Sequence, residues 1–375
     1  MNSLEIVQDI EYLFNNLSKS HYDIYKLISI ENYQKLKNSL LENIKERNLT
    51  KEQFEIELLP IFATLKDTHS GIFPSTKRLP VVFEWVNDGY YLIVTPVTFE
   101  TCLGKKLISI NNIDLKDFIN LAQKYITFDN EDKRIVEVSV VFRNPVLINF
   151  LTNNNATKIT FGFEDNLIAE IEINPLEELR QISITRYYNV SLPFLISKTN
   201  YEQKIINDLL YIRYSRCKED TNYPINNFIE DIKNNLSNKP SKIAIDLRNN
   251  YGGNSDLLMP LIEILQKYNQ DNVVKIYCFI DRNVFSSGIL NTYSIKTDLN
   301  AVLVGQNTGQ GVDHFGEVKS FQLPNSQITI NYSTKYFFKN NEYSKQITPD
   351  VLIEPTIEEY ILGKDAVLDH VLNDN

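Results

Sequence analysis

Three cysteines in 375 residues, odd in number and far apart at Cys102, Cys217 and Cys278, exclude a disulfide framework and offer no metal-ligand spacing. Cys278 lies in an apolar stretch and reads as a small core residue. Basic clusters are also missing. The formal net charge is −10, which argues against a nucleic-acid partner, because phosphate binding needs grouped Lys and Arg. No apolar run approaches the roughly 20 residues of a membrane span. The first residues, Met1 to Asp9, lack a basic segment followed by an apolar one, so a cytoplasmic protein is expected. Histidine is scarce, with only His21, His69, His314 and His370. Any mechanism that needs an imidazole has four choices.

What is present is an ordinary globular composition, 43% hydrophobic and 23% charged, long enough for two or three domains. Leu4, Val7, Ile10, Phe14 and Leu17 recur at helical spacing, as do Tyr33, Leu36, Leu40 and Ile44. Thr50 and Gln53 stand in capping-box register before a third helix, in which Pro60 should produce a kink. His21 is placed at a helix start. The polar loop Asp67-Thr68-His69-Ser70-Gly71 closes this part. Strands are expected at 81–85, 90–94 and 107–110, a helix capped by Asp114 from Leu115 to about Tyr125, and strands again near 135–150 and 158–174. Residues 175–207 give no clear pattern. From Leu209 strands and helices alternate, with strands at 209–214, 242–247, 273–280 and 301–304, which implies a largely parallel sheet covered by helices.

Two loops in this α/β region carry the chemical signal. Asp246-Leu247-Arg248-Asn249-Asn250-Tyr251-Gly252-Gly253 ends one buried strand, and Phe285-Ser286-Ser287-Gly288 follows the next and opens a helix. A serine at a helix N-terminus sits at the positive end of the macrodipole, and free backbone N–H groups beside it can hold an oxyanion. A serine acyl-transfer site is built from those parts. Read alone, Ser286 and Ser287 would be an N-cap pair.

Together with Leu210 to Tyr214, Val304 to Gly309, Thr348-Pro349-Asp350-Val351 and Gly363-Lys364-Asp365, these strings resemble the C-terminal-processing (tail-specific) and tricorn-core serine peptidases over about residues 208–372. The resemblance implies an α/β fold with a ClpP/crotonase-like spiral catalytic core. It divides the chain into an N-terminal helical segment (1–75), a degenerate PDZ-like β-rich domain (76–175) and a catalytic domain (176–375). It also implies Ser287 as nucleophile, with Ser286 its neighbour, and oxyanion donors at Gly288 and at Gly252 or Gly253. Tail-specific members use a lysine base where this chain has Gln310, which cannot accept a proton. The tricorn-like branch uses an upstream histidine after a hydroxyl residue, and Thr68-His69 fits that pattern, with His314 the runner-up. Glu342 stands near the family position for the orienting carboxylate, with Asp67 and Glu317 as other choices. No metal or cofactor is implied. Peptides or unfolded protein segments would be the substrates, and a homo-oligomer is compatible with the family. The rival readings are a catalytically inactive peptide- or small-ligand-binding protein on the same scaffold and a crotonase-type acyl enzyme, the latter disfavoured by the absence of a basic nucleotide-binding signal.

Overall fold

The computed structural model describes all residues except 45, 73–76, 175–176, 187–198, 273, 340 and 375. The expected strand start at Val273 and part of the unassigned 175–207 stretch lie outside the described residues. The chain forms two compact units. The first comprises residues 1–129, 137–186 and 314–337, and the second 130–136, 187–313 and 338–375. Among the described residues no helix is long and apolar enough to cross a membrane.

In the first unit the 3.6-residue periodicity gives the expected helices Ser3–Ser20, Ile30–Ile44 and Lys51–Leu65. Thr50 and Gln53 form the capping box, and the third helix runs through Pro60. His21 ends a helix rather than starting one. It follows Ser20 in extended conformation, its backbone N–H returning to Leu17 O. The apolar faces of these helices, including Ile10, Phe14, Phe54 and Phe62, share a core with Leu323, Ile328 and Ile330. Those three belong to a hairpin of strands His314–Gln322 and Thr329–Phe337, to which Gly71–Ile72 adds a short third strand. Two small antiparallel sheets complete the unit, one built on Val82–Val86, Gly89–Pro96 and Ile184–Arg186, the other on Leu107–Ile110 and Lys158–Phe163. Asp114 caps the helix Leu115–Ala122.

The strands expected near 135–150 are helices, Glu131–Val141 and Pro145–Leu151. The β-branched residues there suggest a strand, but Val138, Val141 and Phe142 are the buried ones, at helical spacing. Asn144 accepts a hydrogen bond from Leu147 N–H and Pro145 takes the first turn, a strong helix start.

The second unit is an α/β layer. Its six-stranded sheet has the spatial order Val351–Leu352, Val302–Gly305, Lys275–Ile280, Lys242–Asp246, Leu209–Tyr214 and Tyr201–Ile206. All neighbours are parallel except the last pair. Ile212, Ile245, Cys278 and Leu303 lie in one register row, and each is fully buried. Helices Ile225–Leu236, Met259–Asn272 and Ser287–Leu299 contribute Phe228, Leu265 and Ile295 to the core on that face. On the other face Tyr211, Ala244 and Phe279 pack with Val367 and Val371 of the C-terminal helix Ala366–Asn373.

One buried charge network closes this unit. Arg248 donates from Nε to Asp246 Oδ1 at 3.0 Å, and its Nη1 and Nη2 reach Asp365 at 2.8 Å each. Tyr211 Oη donates to Asp246 at 2.6 Å. Burial alone would raise the Asp246 pKa, but the charges of Arg248 and Arg213 and the hydrogen bonds outweigh it and hold the carboxyl below its usual range. Asp365 also caps the last helix by accepting from Leu368 N–H. Removing one partner of a buried pair strands the other, at a cost of roughly 3–5 kcal/mol. Asp365→Ala should therefore lower stability in urea denaturation by about that amount, while Asp369→Ala on the exposed face of the same helix should stay within about 0.5 kcal/mol. Equal effects of the two would refute the role given to Arg248.

Candidate active site

Parallel strands Lys242–Asp246 and Lys275–Ile280 end side by side, and the two loops expected to carry the chemistry leave from those ends. Several bonds tie the loops together. Leu247 N–H donates to Phe279 O, and Phe285 N–H to Asn250 O. Asn249 N–H donates to both Asp281 oxygens at 3.0 Å, Asn283 N–H to Asp281 Oδ1, and Asn283 Nδ2 to Asn249 Oδ1. Asn250 is fully buried. Its Oδ1 accepts Gly252 N–H at 2.8 Å, and its Nδ2 donates to Tyr214 O. Asn250 and Asp281 were not singled out from the sequence. The Asn-Asn repeat before Gly-Gly was the only available sign, since polar side chains in such turns satisfy backbone groups.

The two serines differ sharply. Ser287 is the first residue of its helix, 8% exposed, and its Oγ donates to Gly253 O at 2.7 Å. Ser286 is half-buried and sits at the N-cap with φ 54° and ψ −124°, a backbone that non-glycine residues rarely hold, and its side chain does not cap the helix. Its N–H donates to Gln310 Oε1 at 3.0 Å. The side chain at the position of the tail-specific lysine thus reaches Ser286.

Of the three expected oxyanion donors, two are engaged within the loops. Gly288 N–H closes a turn onto Phe285 O at 2.9 Å, and Gly252 N–H is held by Asn250. Gly252 serves by its lack of a side chain. At φ +93°, a Cβ there would lie 2.8 Å from Ser286 Cβ and 2.9 Å from Ser287 N. Gly253, at φ +136°, would collide with Cys217 O. The N–H of Ser287 has no acceptor within its own helix, because it is the first residue of it. Lys133, largely buried, places Nζ 4.5 Å from the centre of the Phe285 ring, a cation beside the turn that sequence reasoning did not anticipate.

In the first unit the expected histidines meet. His69 and His314 stack with ring centres 5.6 Å apart and planes 11° apart, and His314 also packs on Phe337 at 5.0 Å. Thr68 Oγ1 donates to Asp129. Asp67 is buried and touches His69 through the backbone, His69 N–H donating to Oδ1 at 3.0 Å, while its Oδ2 accepts from His21 Nε2, also at 3.0 Å. Glu317 is exposed near Lys335. Glu342, in the second unit, is exposed next to Tyr343. His370 is exposed on the C-terminal helix. No group of three or more His, Cys, Asp or Glu among the described residues is placed to hold a metal ion.

Asp281 differs electrostatically from its neighbours. Burial pushes its pKa up to about 6, partly offset by the Asn249 amide and the Arg248 charge. A carboxyl raised in the folded state favours folding below its unfolded pKa and loses that contribution as pH rises through the folded one. The stability of wild type minus that of Asp281→Asn should therefore fall between about pH 4 and 7, by on the order of 2–3 kcal/mol, in urea titrations at fixed ionic strength. A difference that rises over that range would contradict the assignment.

Residues 208–353 match the profile of Peptidase family S41. No curated protein sequence matches the chain. Among solved structures, mature CPAF complexed with lactacystin aligns with a TM-score of 0.71 at 13% identity, covering 98% of this chain and 97% of that one. Mature CPAF alone gives 0.69, again at 13% identity, over 98% and 96%. A putative peptidase from Parabacteroides merdae gives 0.50 at 11% identity over 98% and 95%. At these identities the likeness is one of fold. The profile match lies over the parallel sheet and both of its loops, so this part of the chain is similar to the peptidases of family S41.

Proposed function

We propose that Ser286, one residue before the serine expected from the sequence, is the nucleophile. The observation that carries this reading is its backbone. A serine held at φ 54° at a helix N-cap, free of the cap bond, presents its hydroxyl at the positive end of the helix. Ser287 instead spends its hydroxyl proton on Gly253 O. Attack by Ser286 Oγ on a peptide carbonyl forms a tetrahedral oxyanion. The N–H groups of Ser287 and Gly253 are the donors we assign to it, since those of Gly288 and Gly252 are spent in the loops. His69 is the base in this reading. It takes the Ser286 proton and returns it to the leaving amine, because Gln310 cannot do so. Glu342 is proposed as the carboxylate that steadies His69.

The substrates are then peptides or unfolded protein segments, bound without a cofactor. The parallel sheet and its crossover helices are consistent with a ClpP/crotonase-like core, and the small sheets of the first unit with a degenerate PDZ-like domain. Gln310 favours one alternative, a non-catalytic binding protein, because its amide oxygen already holds the Ser286 N–H where a lysine base would stand.

A fluorophosphonate probe separates these readings. Wild type should be labelled, and Ser286→Ala should lose labelling and casein hydrolysis by about 10³-fold or more. Ser287→Ala should keep activity within about tenfold and lose roughly 1 kcal/mol of stability with its hydrogen bond. The reverse ranking would return the nucleophile to Ser287, and an unlabelled wild type would favour the binding protein.

A further inference from the structure

His21 lies 48 residues before His69, yet the two are joined through one carboxylate. The His21 ring is fully buried, packed at 5.1 Å from the Phe315 ring. Asp23 N–H donates to His21 Nδ1 at 3.2 Å, so Nδ1 is the acceptor nitrogen and Nε2 carries the proton given to Asp67 Oδ2. The same Asp67 Oδ2 accepts from Ser70 Oγ, and Ser70 Oγ accepts Ser333 N–H at 3.2 Å. Tyr22 N–H donates to Ser333 O at 2.9 Å. The end of the first helix, the loop 67–70 and the strand Thr329–Phe337 are thereby cross-tied around Asp67.

The other oxygen of that carboxylate, Oδ1, accepts the backbone N–H of His69. A carboxylate with Oδ2 pinned by two donors fixes the position of Oδ1 and with it the backbone of His69. Burial by itself would raise the Asp67 pKa. The hydrogen bonds from His21 and Ser70, together with the His69 charge, outweigh it and hold the carboxyl below its usual range, ionised and accepting. The order of partners is wrong for a second nucleophile, since Ser70 donates to the carboxylate rather than to the imidazole and all three side chains are buried.

We infer that His21 is a positioning residue for catalysis. Through Asp67 it sets the backbone of His69, so that the N-terminal helix contributes to the peptidase although it supplies no group to the reacting atoms. The inference rests on the reading of His69 as the base. A small misplacement of a catalytic group by a distant change costs up to about 100-fold in rate. Loss of the His21–Asp67 bond should therefore lower the rate of serine activation and leave substrate binding nearly unchanged.

The test compares two polar substitutions. His21→Gln places an amide nitrogen about where Nε2 lies and can still donate to Asp67. His21→Asn is too short to do so. Labelling by a fluorophosphonate is followed over a range of probe concentrations, giving a limiting rate and a half-saturating concentration, with thermal unfolding recorded for each protein. His21→Asn should lower the limiting rate roughly 10- to 100-fold with the half-saturating concentration within about twofold, and His21→Gln should recover most of the rate. Asp67→Asn, which keeps volume and fold-compatible shape, should resemble His21→Asn and serves if that variant does not fold. Wild-type rates in a folded His21→Asn or Asp67→Asn, or equal losses in Asn and Gln variants, would overturn the inference. His69→Ala is measured beside them. If it labels like wild type, the reading of His69 fails, whereas a dead His69→Ala with active His21→Asn removes only the positioning role.

Discussion

The second unit depends on one buried cation. Arg248 stands two residues beyond the end of a central strand and is almost wholly removed from water, and it is tolerable there only because Asp246 and Asp365 flank it with four hydrogen bonds. Those bonds join a strand end to the start of the C-terminal helix, 117 residues later in the chain. They also fix the direction in which residues 249–253 leave the sheet. An apolar residue at 248 would fill the space equally well. It would not hold the loop in one orientation, which the oxyanion site proposed there would require.

From that anchor the loop is built by satisfying its own polar groups. Asn250 uses its side chain to hold the Gly252 amide and the Tyr214 carbonyl, while its main-chain carbonyl receives Phe285 N–H. Asp281 gathers the amides of Asn249 and Asn283. Each bond removes a backbone group that could otherwise bind water or compete for an oxyanion. The few donors left unspent are therefore defined by subtraction. In the proposed reading the oxyanion donor is therefore Ser287 rather than Gly288. That choice goes together with the proposed nucleophile, because an oxyanion donor belongs on the residue after the attacking serine.

Much of this was legible in the sequence. The helices of residues 3–65 follow from 3.6-residue spacing, and the parallel sheet from alternating apolar strands and amphipathic helices. The Asp246–Gly253 string marked a turn at the end of a buried strand, because glycines and short polar residues there satisfy a tight loop. Three things were hidden, each for a physical reason. The helices at 131–151 contain valines that favour strands locally, and their burial spacing emerges only when Val138, Val141 and Phe142 find partners. The hairpin 314–337 carries exposed residues through much of its first strand, so apolar alternation is weak there. His21 and Asp67 are joined by folding across 46 residues, and no spacing rule connects them.

The register of the serines shows most plainly where sequence reasoning ends. Ser286 and Ser287 are chemically identical, and either could open a helix. The turn Asp281–Phe285 gives them different backbones by where it ends. Val284 N–H closes onto Asp281 O, and Phe285 N–H is captured by Asn250 O. The next peptide must then turn sharply to start the helix, and residue 286 takes the positive φ. A side chain there costs about 1–3 kcal/mol relative to relaxed backbone. Glycine would relieve it, and glycine has no hydroxyl. Gly252 makes the strained conformation sterically admissible by leaving open the space beside Ser286 Cβ, and the bond from Ser286 N–H to Gln310 helps hold it. The strain, the missing side chain at 252 and the buried glutamine are thus parts of one arrangement. That arrangement is what the proposal of a reactive hydroxyl at position 286 rests on.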